Sequence, residues 1–316
     1  MGDSVSMSSG AAVEDGVIED VDWAVSMSSG AAVEDGIIED VDWANLAPDA
    51  LVEIFTYLPI QYRFRIGSVC KSWRRESLNP VVWKSCTMSD VSDLSKRYDV
   101  NEQAVMDSIL RSRSELISLA IESCPHSILG FIGNHCPQLL SLKLRRCSTN
   151  VTSTCRSPLQ NAEALVHGCP LLRSIEFFLS DCCDLLFTTF AVTPFVNMLA
   201  INLPNLVSFV LEMEFRSVGD RDVEIIVDNM TRLEVLGLSR SGITDSSLGL
   251  IGSALLSLRS LTVDHCLWLT SEAVMTLRSN RKELYVSSKG VRGKDHCWYE
   301  ADVVDDWDEQ AHLFTG

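Results

Sequence analysis

The pattern L-x-x-L-x-L recurs six times between residues 116 and 263, and it restricts the fold more than any other feature of the chain. The copies are Leu116-Leu119-Ile121, Leu139-Leu142-Leu144, Leu172-Ile175-Phe177, Leu206-Phe209-Leu211, Leu233-Leu236-Leu238 and Leu258-Leu261-Val263. A weaker seventh copy ends on Leu284 and Val286. The leading leucines stand 23, 33, 34, 27 and 25 residues apart. A unit of that length holds one short strand and one helix or turn. It cannot bury its apolar face alone, but a stack of neighbours can. Alternation along a strand turns the leucines inward and the intervening residues outward. Helices are expected between strands, for example over 222–230 and 246–255. Insertions in the longer units, 139–172 and 172–206, are expected in loops on the rim or the convex side.

Cysteine marks the same units. Cys124, Cys147 and Cys266 each follow a leading leucine by eight residues, and Cys136-Pro137 and Cys169-Pro170 precede two others. The pattern resembles the cysteine-containing leucine-rich repeat, with the thiols expected in a buried turn at the strand end. Five of the six first outward positions are serine. The most distinctive outward neighbourhood comprises Lys143, Arg145, Glu176 and Phe178, with Val210 and Glu212 on the next strand. A guanidinium and an aromatic ring on adjacent strands are the residue types that concentrate energy at interfaces. These six are the candidate target-binding residues.

A second kind of segment precedes the repeats. Pro48 suits a first helical position and Asp49 the positive helix start. Leu51, Ile54, Phe55 and Leu58 then recur at helical spacing, and Pro59 ends the helix. Ile66, Val69, Cys70 and Trp73 form a second apolar face, broken at Asn79-Pro80, and Trp83 closes the segment. About 40 residues cannot bury so many large side chains alone, so the segment must dock on something. Leu46-x-Pro48, Ile54-Phe55, Leu58-Pro59, Val69-Cys70-x-x-Trp73 and Pro80-x-x-Trp83 resemble an F-box, with Phe64 in the place of a leucine. The resemblance implies that Leu46, Pro48, Leu51, Ile54, Phe55, Leu58, Pro59, Val69, Cys70, Trp73 and Trp83 bind the Skp adaptor of a Skp–cullin–F-box (SCF) ubiquitin ligase.

The formal charge of −17 is concentrated at the two ends. Residues 1–44 hold eleven acids and residues 295–316 hold seven, neither with a Lys or Arg. The middle is therefore near neutral, which argues against a nucleic-acid-binding body. Residues 5–24 recur as 25–44 with a single change, Val17 to Ile37. This duplicated acidic segment has little apolar material and is expected to be disordered. The eleven cysteines include no CxxC pair, and the N-terminus shows no signal peptide, so reduced thiols in the nucleus or cytoplasm are expected. Residues 185–211 carry no charge, but Pro194, Asn197, Asn202, Pro204 and Asn205 interrupt them. A buried helix plus strand is expected there, not a membrane span.

No catalytic arrangement emerges. G-x-G-x-x-G, G-x-S-x-G and H-E-x-x-H are missing, and Gly290 to Asp295 lacks the P-loop spacing. Cys124, His126, His135, Cys136 and Cys147 follow the repeat and read as structural, so no metal or cofactor is expected.

The expected architecture is α/β: a helical F-box followed by a short right-handed leucine-rich-repeat solenoid. Its parts are an acidic segment at 1–42, an F-box at 43–88, a helical connector at 89–115, repeats at 116–288 and an acidic tail at 289–316. The combination resembles small plant F-box/leucine-rich-repeat proteins that partner the Skp adaptor. It implies a non-enzymatic receptor that reaches cullin and RING subunits through the adaptor and recruits a protein target. The alternative is a leucine-rich scaffold outside any ligase, in which the F-box-like segment only caps the solenoid. Exposure of Leu51, Phe55 and Trp73 would favour the receptor, and full burial of all three against residues 100–145 would favour that alternative.

Overall fold

The computed structural model describes residues 46–88, 102–122, 127–145, 158–179, 189–213 and 218–291. The acidic segment 1–42 and all but the first residues of the 289–316 tail lie outside these, as do Cys124, His126 and Cys147.

The described chain opens with three short helices, α1 (Pro48–Tyr57), α2 (Ile60–Arg65) and α3 (Lys71–Ser77). Pro48 occupies the first turn of α1, and the chain leaves the helix at Leu58 in an extended conformation. The second apolar face is not one helix. A 3₁₀ turn at Ile66–Ser68 holds Gly67 and separates α2 from α3, which starts on a Cys70 cap. A further 3₁₀ turn, Pro80–Trp83, follows Asn79, whose side chain accepts from the Val81 N–H.

Eight parallel strands then form one sheet in strict sequence order. They are β1 (Ser85–Met88), β2 (Ser118–Glu122), β3 (Ser141–Arg145), β4 (Ser174–Leu179), β5 (Ser208–Met213), β6 (Val235–Gly237), β7 (Ser260–Thr262) and β8 (Tyr285–Ser287). Parallel neighbours need a crossover, and a helix supplies each one. These are α4 (Glu102–Arg111), α5 (Ser127–His135), α6 (Pro158–Gly168), α7 (Thr189–Asn202), α8 (Asp220–Asn229), α9 (Asp245–Ala254) and α10 (Ser271–Asn280). The two helices expected from sequence, 222–230 and 246–255, are α8 and α9 within two residues. The uncharged stretch 185–211 contains α7 and most of β5, and no described helix is long and apolar enough to cross a membrane.

Two boundaries differ from the sequence reading. β1 belongs to the repeat sheet: Ser85 to Met88 pair with Ser118 to Ile121 of β2. The segment read as a connector is therefore the crossover of the first repeat, with α4 contributing Val105 and Ile109 to the core. No leading leucine announces β1, which is why the pattern missed it.

Strands β2 to β5 alternate as expected, whereas in β6 the outward Gly237 is buried. Leu119 and Ile121, Leu142 and Leu144, Ile175 and Phe177, and Phe209 and Leu211 are buried, and the residues between them are half-exposed. The leading leucines are buried as well. The cysteines close the unit ends: Cys169 Sγ donates to the Cys136 carbonyl at 3.2 Å and Cys266 Sγ to the Leu238 carbonyl at 3.1 Å. Burial pushes the Cys136 and Cys169 thiols up to about 12, so both are protonated near neutral pH. Glycine is required where α5 meets α6. A Cβ on Gly168 would lie 1.7 Å from the Gly133 carbonyl oxygen, and one on Gly133 would lie 2.2 Å from that of Ala164.

Candidate functional site

Two surfaces carry the residues singled out by sequence. The first is the helical module. Leu51 and Phe55 are fully buried, and Phe55 meets Trp73 edge-on with ring centroids 5.3 Å apart. Trp83 is fully buried too: its indole N–H donates to the Ser77 carbonyl at 2.8 Å and its ring packs on Phe64 at 5.0 Å. Leu51, Phe55 and Trp83 are thus core residues, unavailable to a partner, which corrects their assignment as contacts. The burial of Leu51 and Phe55 arises within the module, where α1 packs on α3 and on the Pro80–Trp83 turn. Trp73 stays partly exposed. Neither condition set from the sequence is met in full: Leu51 and Phe55 are buried, as a cap would have them, but Trp73 is not.

Ile54, Val69, Pro48 and Pro59 remain exposed, and Leu46, Leu58, Cys70 and Trp73 are half-buried. The structure adds residues that sequence reasoning overlooked. Tyr57, Tyr62, Leu78 and Val81 are also exposed, and Tyr57 is 79% accessible. Ile54 and Tyr57 are three residues apart on α1; helical spacing groups Ile54 with Leu51 and Phe55, and only packing leaves it exposed. Tyr57 donates to a Glu53 carboxylate oxygen at 3.0 Å, and that bond and charge raise its pKa.

Beneath this surface lies a buried arginine that the sequence did not flag. Arg63 donates to four carbonyls: Leu58 at 2.7 Å, Thr56 at 2.6 Å, Val82 at 2.6 Å and Ser85 at 2.8 Å. Burial lowers its pKa. It ties the end of α1 to the Pro80–Trp83 turn and to β1. Arg111 of α4 places its guanidinium 5.0 Å from both the Phe64 and Trp83 rings, joining the module to the first repeat.

The second surface is the sheet face opposite the helices. Its register is uninterrupted: Ser85, Ser118, Ser141, Ser174 and Ser208 stand side by side across five strands. One row further, Lys143 sits beside Glu176, and Glu176 beside Val210. In the last row Glu122, Arg145, Phe178 and Glu212 follow one another. All six candidate target-binding residues are therefore neighbours. Lys143 Nζ pairs with Glu176 at 2.7 Å, and Arg145 lies 3.7 Å from Glu122 and 5.0 Å above the Phe178 ring. Val210 covers Gly237, where a Cβ would meet it at 2.8 Å. Glu212 is joined by Arg240 at 3.2 Å. Burial raises the Glu212 pKa against the pull of Arg240. Arg240 has φ 58°, as has His265 one repeat later, so the chain turns in the left-handed region just past the strands. That backbone turn, not the leucine pattern, brings Arg240 into the row.

Comparison with known proteins bears on the helical module first. Residues 43–85 match the F-box domain family. The chain is 26% identical over 250 residues to the F-box protein SKIP19 of Arabidopsis thaliana, covering 78% of this chain and 75% of that one. The chain thus joins a segment that matches the F-box family to a sheet of leucine-rich-repeat units. The F-box protein FBW2 of Arabidopsis thaliana is 31% identical over 144 residues, 45% of this chain and 42% of the relative. Among solved structures, the yeast Rad7 and Elc1 complex aligns with a TM-score of 0.45 and 17% identity, covering 78% of this chain and 70% of that chain. The leucine-rich repeat-containing protein LegL7 from Legionella pneumophila aligns with a TM-score of 0.40 and 14% identity, covering 65% and 66%. The F-box match ends at Ser85, where β1 begins, so the domain stops where the sheet starts.

Proposed function

We propose that this protein is a substrate receptor of an SCF-type ubiquitin ligase and performs no reaction itself. The F-box holds the Skp adaptor, which links it to the cullin and RING subunits. The face of the sheet opposite the helices holds a protein target. The contribution to catalysis is effective concentration: a tethered lysine meets the charged conjugating enzyme far more often than a free one. The nucleus and cytoplasm are the compartments that suit free, buried thiols and a reduced chain.

One observation carries the reading. A segment matching the F-box family keeps a set of apolar side chains, Ile54, Tyr57, Val69 and Leu78, exposed although a large core lies beside it. Burying each in a partner is worth roughly 1.5–3 kcal/mol. Co-purification of the full chain with the Skp adaptor tests the proposal, and stoichiometric recovery is the expected result. Failure to retain the adaptor at micromolar concentrations would leave a leucine-rich scaffold instead.

A further inference from the structure

The ion pairs on the sheet face have a consistent vertical order. In each of the three pairs around Phe178 the cation is the more exposed partner: Lys143 36% over Glu176 26%, Arg145 34% over Glu122 28%, and Arg240 45% over Glu212 14%. The carboxylates lie low against the sheet and the cations stand above them. A surface that sums to zero charge therefore presents positive groups outward. The arrangement also holds those groups in place. Lys143 and Arg145 share the Phe178 ring, at 5.8 Å and 5.0 Å, and the fixed strand register keeps all of them adjacent. Arg145 makes only a long ion pair to Glu122, and its side chain is partly exposed while its Nε is buried. A planar guanidinium whose outer nitrogens lie beside an apolar ring favours a carboxylate carried next to an apolar side chain.

We infer that Lys143, Arg145, Phe178 and Arg240 form a docking surface for an acidic protein segment, one with Asp or Glu flanking an apolar residue. This inference rests on the receptor reading only for its biological sense, because the surface itself exists without the adaptor. Target carboxylates would take the outward donors, and Glu122, Glu176 and Glu212 would remain beneath as supports. The apolar residue would lie on Phe178, which the two cations already flank. Lysine-rich segments would face like charge and be refused, so the same layer supplies selectivity.

The test uses the purified full chain and a phage-displayed library of random short peptides. Selected sequences are expected to carry at least two acids around an apolar residue, and their affinity is expected to fall as NaCl rises. Lys143→Glu with Arg145→Glu should weaken the selected peptides by about tenfold or more, while Arg145→Lys, which keeps the charge but not the planar fork, recovers only part of the binding. The thermal midpoint of each variant checks that the solenoid is folded. Peptides without acids, or acidic peptides that bind the double variant equally, would overturn the assignment. So would a library that yields no binder, or binding that requires phosphoserine in place of Asp and Glu. Adaptor retention is read on the same preparations. Loss of the adaptor with acidic-peptide binding intact would defeat the receptor reading alone, and the converse would defeat this surface alone.

Discussion

Arg63 shows how a single residue can hold two domains together without an ion pair. Its four carbonyl acceptors come from α1, from the chain just after it, from the Pro80–Trp83 turn and from β1. Its charge is solvated by peptide dipoles instead of a carboxylate. Replacing it by Leu would leave those acceptors buried and unpaired, at a cost of about 3 kcal/mol or more. Arg63→Leu is therefore expected to lower the thermal midpoint by many degrees, and Arg63→Lys to recover only part, because an ammonium cannot span four directions. Asp220 does comparable work within the repeats. Its carboxylate accepts from the Thr244 N–H and hydroxyl, each at 2.8 Å, and from the Ser247 hydroxyl. Asp245 repeats the first two bonds toward Thr270 one unit later. Burial alone would raise the Asp220 pKa, but the bonds from Ser247 and Thr244 outweigh it and the net shift is downward. A depressed folded pKa means that the stabilisation is present above the unfolded value and is lost as pH falls through the folded one. Asp220→Asn should thus lower the midpoint at about pH 7, and the gap from wild type should close below the ordinary value of 3.8. A gap that persists undiminished in acid would show that ionisation of Asp220 is not what stabilises the joint.

At the scale of elements, helix faces decide which F-box residues do what. The Leu51 and Phe55 face of α1 is core, so Leu51→Asp with Phe55→Asp should unfold the module and not merely block a partner. Ile54→Asp with Val69→Asp is the informative pair, because both side chains are exposed. It should leave the melting curve unchanged and weaken adaptor retention by about a hundredfold or more, as two charges enter an apolar contact. Equal loss of fold and binding would mean that these positions are structural after all. The α5 and α6 contact gives the opposite kind of prediction. Gly133→Ala drives a methyl into a backbone carbonyl and should cost about 2–3 kcal/mol or more, read as a shifted denaturation midpoint. Most of this architecture was legible in sequence, because the L-x-x-L-x-L copies encode strand, register and inward face at once. β1 was not, because Ser85-Cys86-Thr87-Met88 acquires its strand identity only by pairing with β2, more than thirty residues away. The F-box was legible as a family pattern, but its exposed surface was not. A family's shared apolar positions mix core with contact, and only packing separates Phe55 from Ile54. Arg63 and Arg111 were invisible for a related reason: a basic residue in sequence gives no sign that it will be buried or laid across two rings.

At the scale of the molecule, the F-box and the first repeats behave as one packed body. The described residues all fall in a single compact unit. The Lys84 carbonyl accepts from the Ile117 and Ser118 N–H groups at 2.7 Å and 3.2 Å, so the sheet continues directly from the F-box. Lys84 Nζ and Glu115 add an ion pair at 3.1 Å, and Arg111 sits over Phe64 and Trp83. A rigid joint of this kind matters to a receptor, because it fixes where a bound target stands relative to the adaptor. A solenoid transmits stability mainly between neighbouring units, so damage at this joint should fade along the array. Arg111→Ala removes a cation shared by two rings and should cost about 1–2 kcal/mol. Hydrogen exchange is the suitable measurement, since it reports opening segment by segment. Faster exchange is expected together in α1, α2 and β2, with α9 and α10 unaffected. Acceleration confined to the F-box helices would instead describe a module that opens independently of the solenoid.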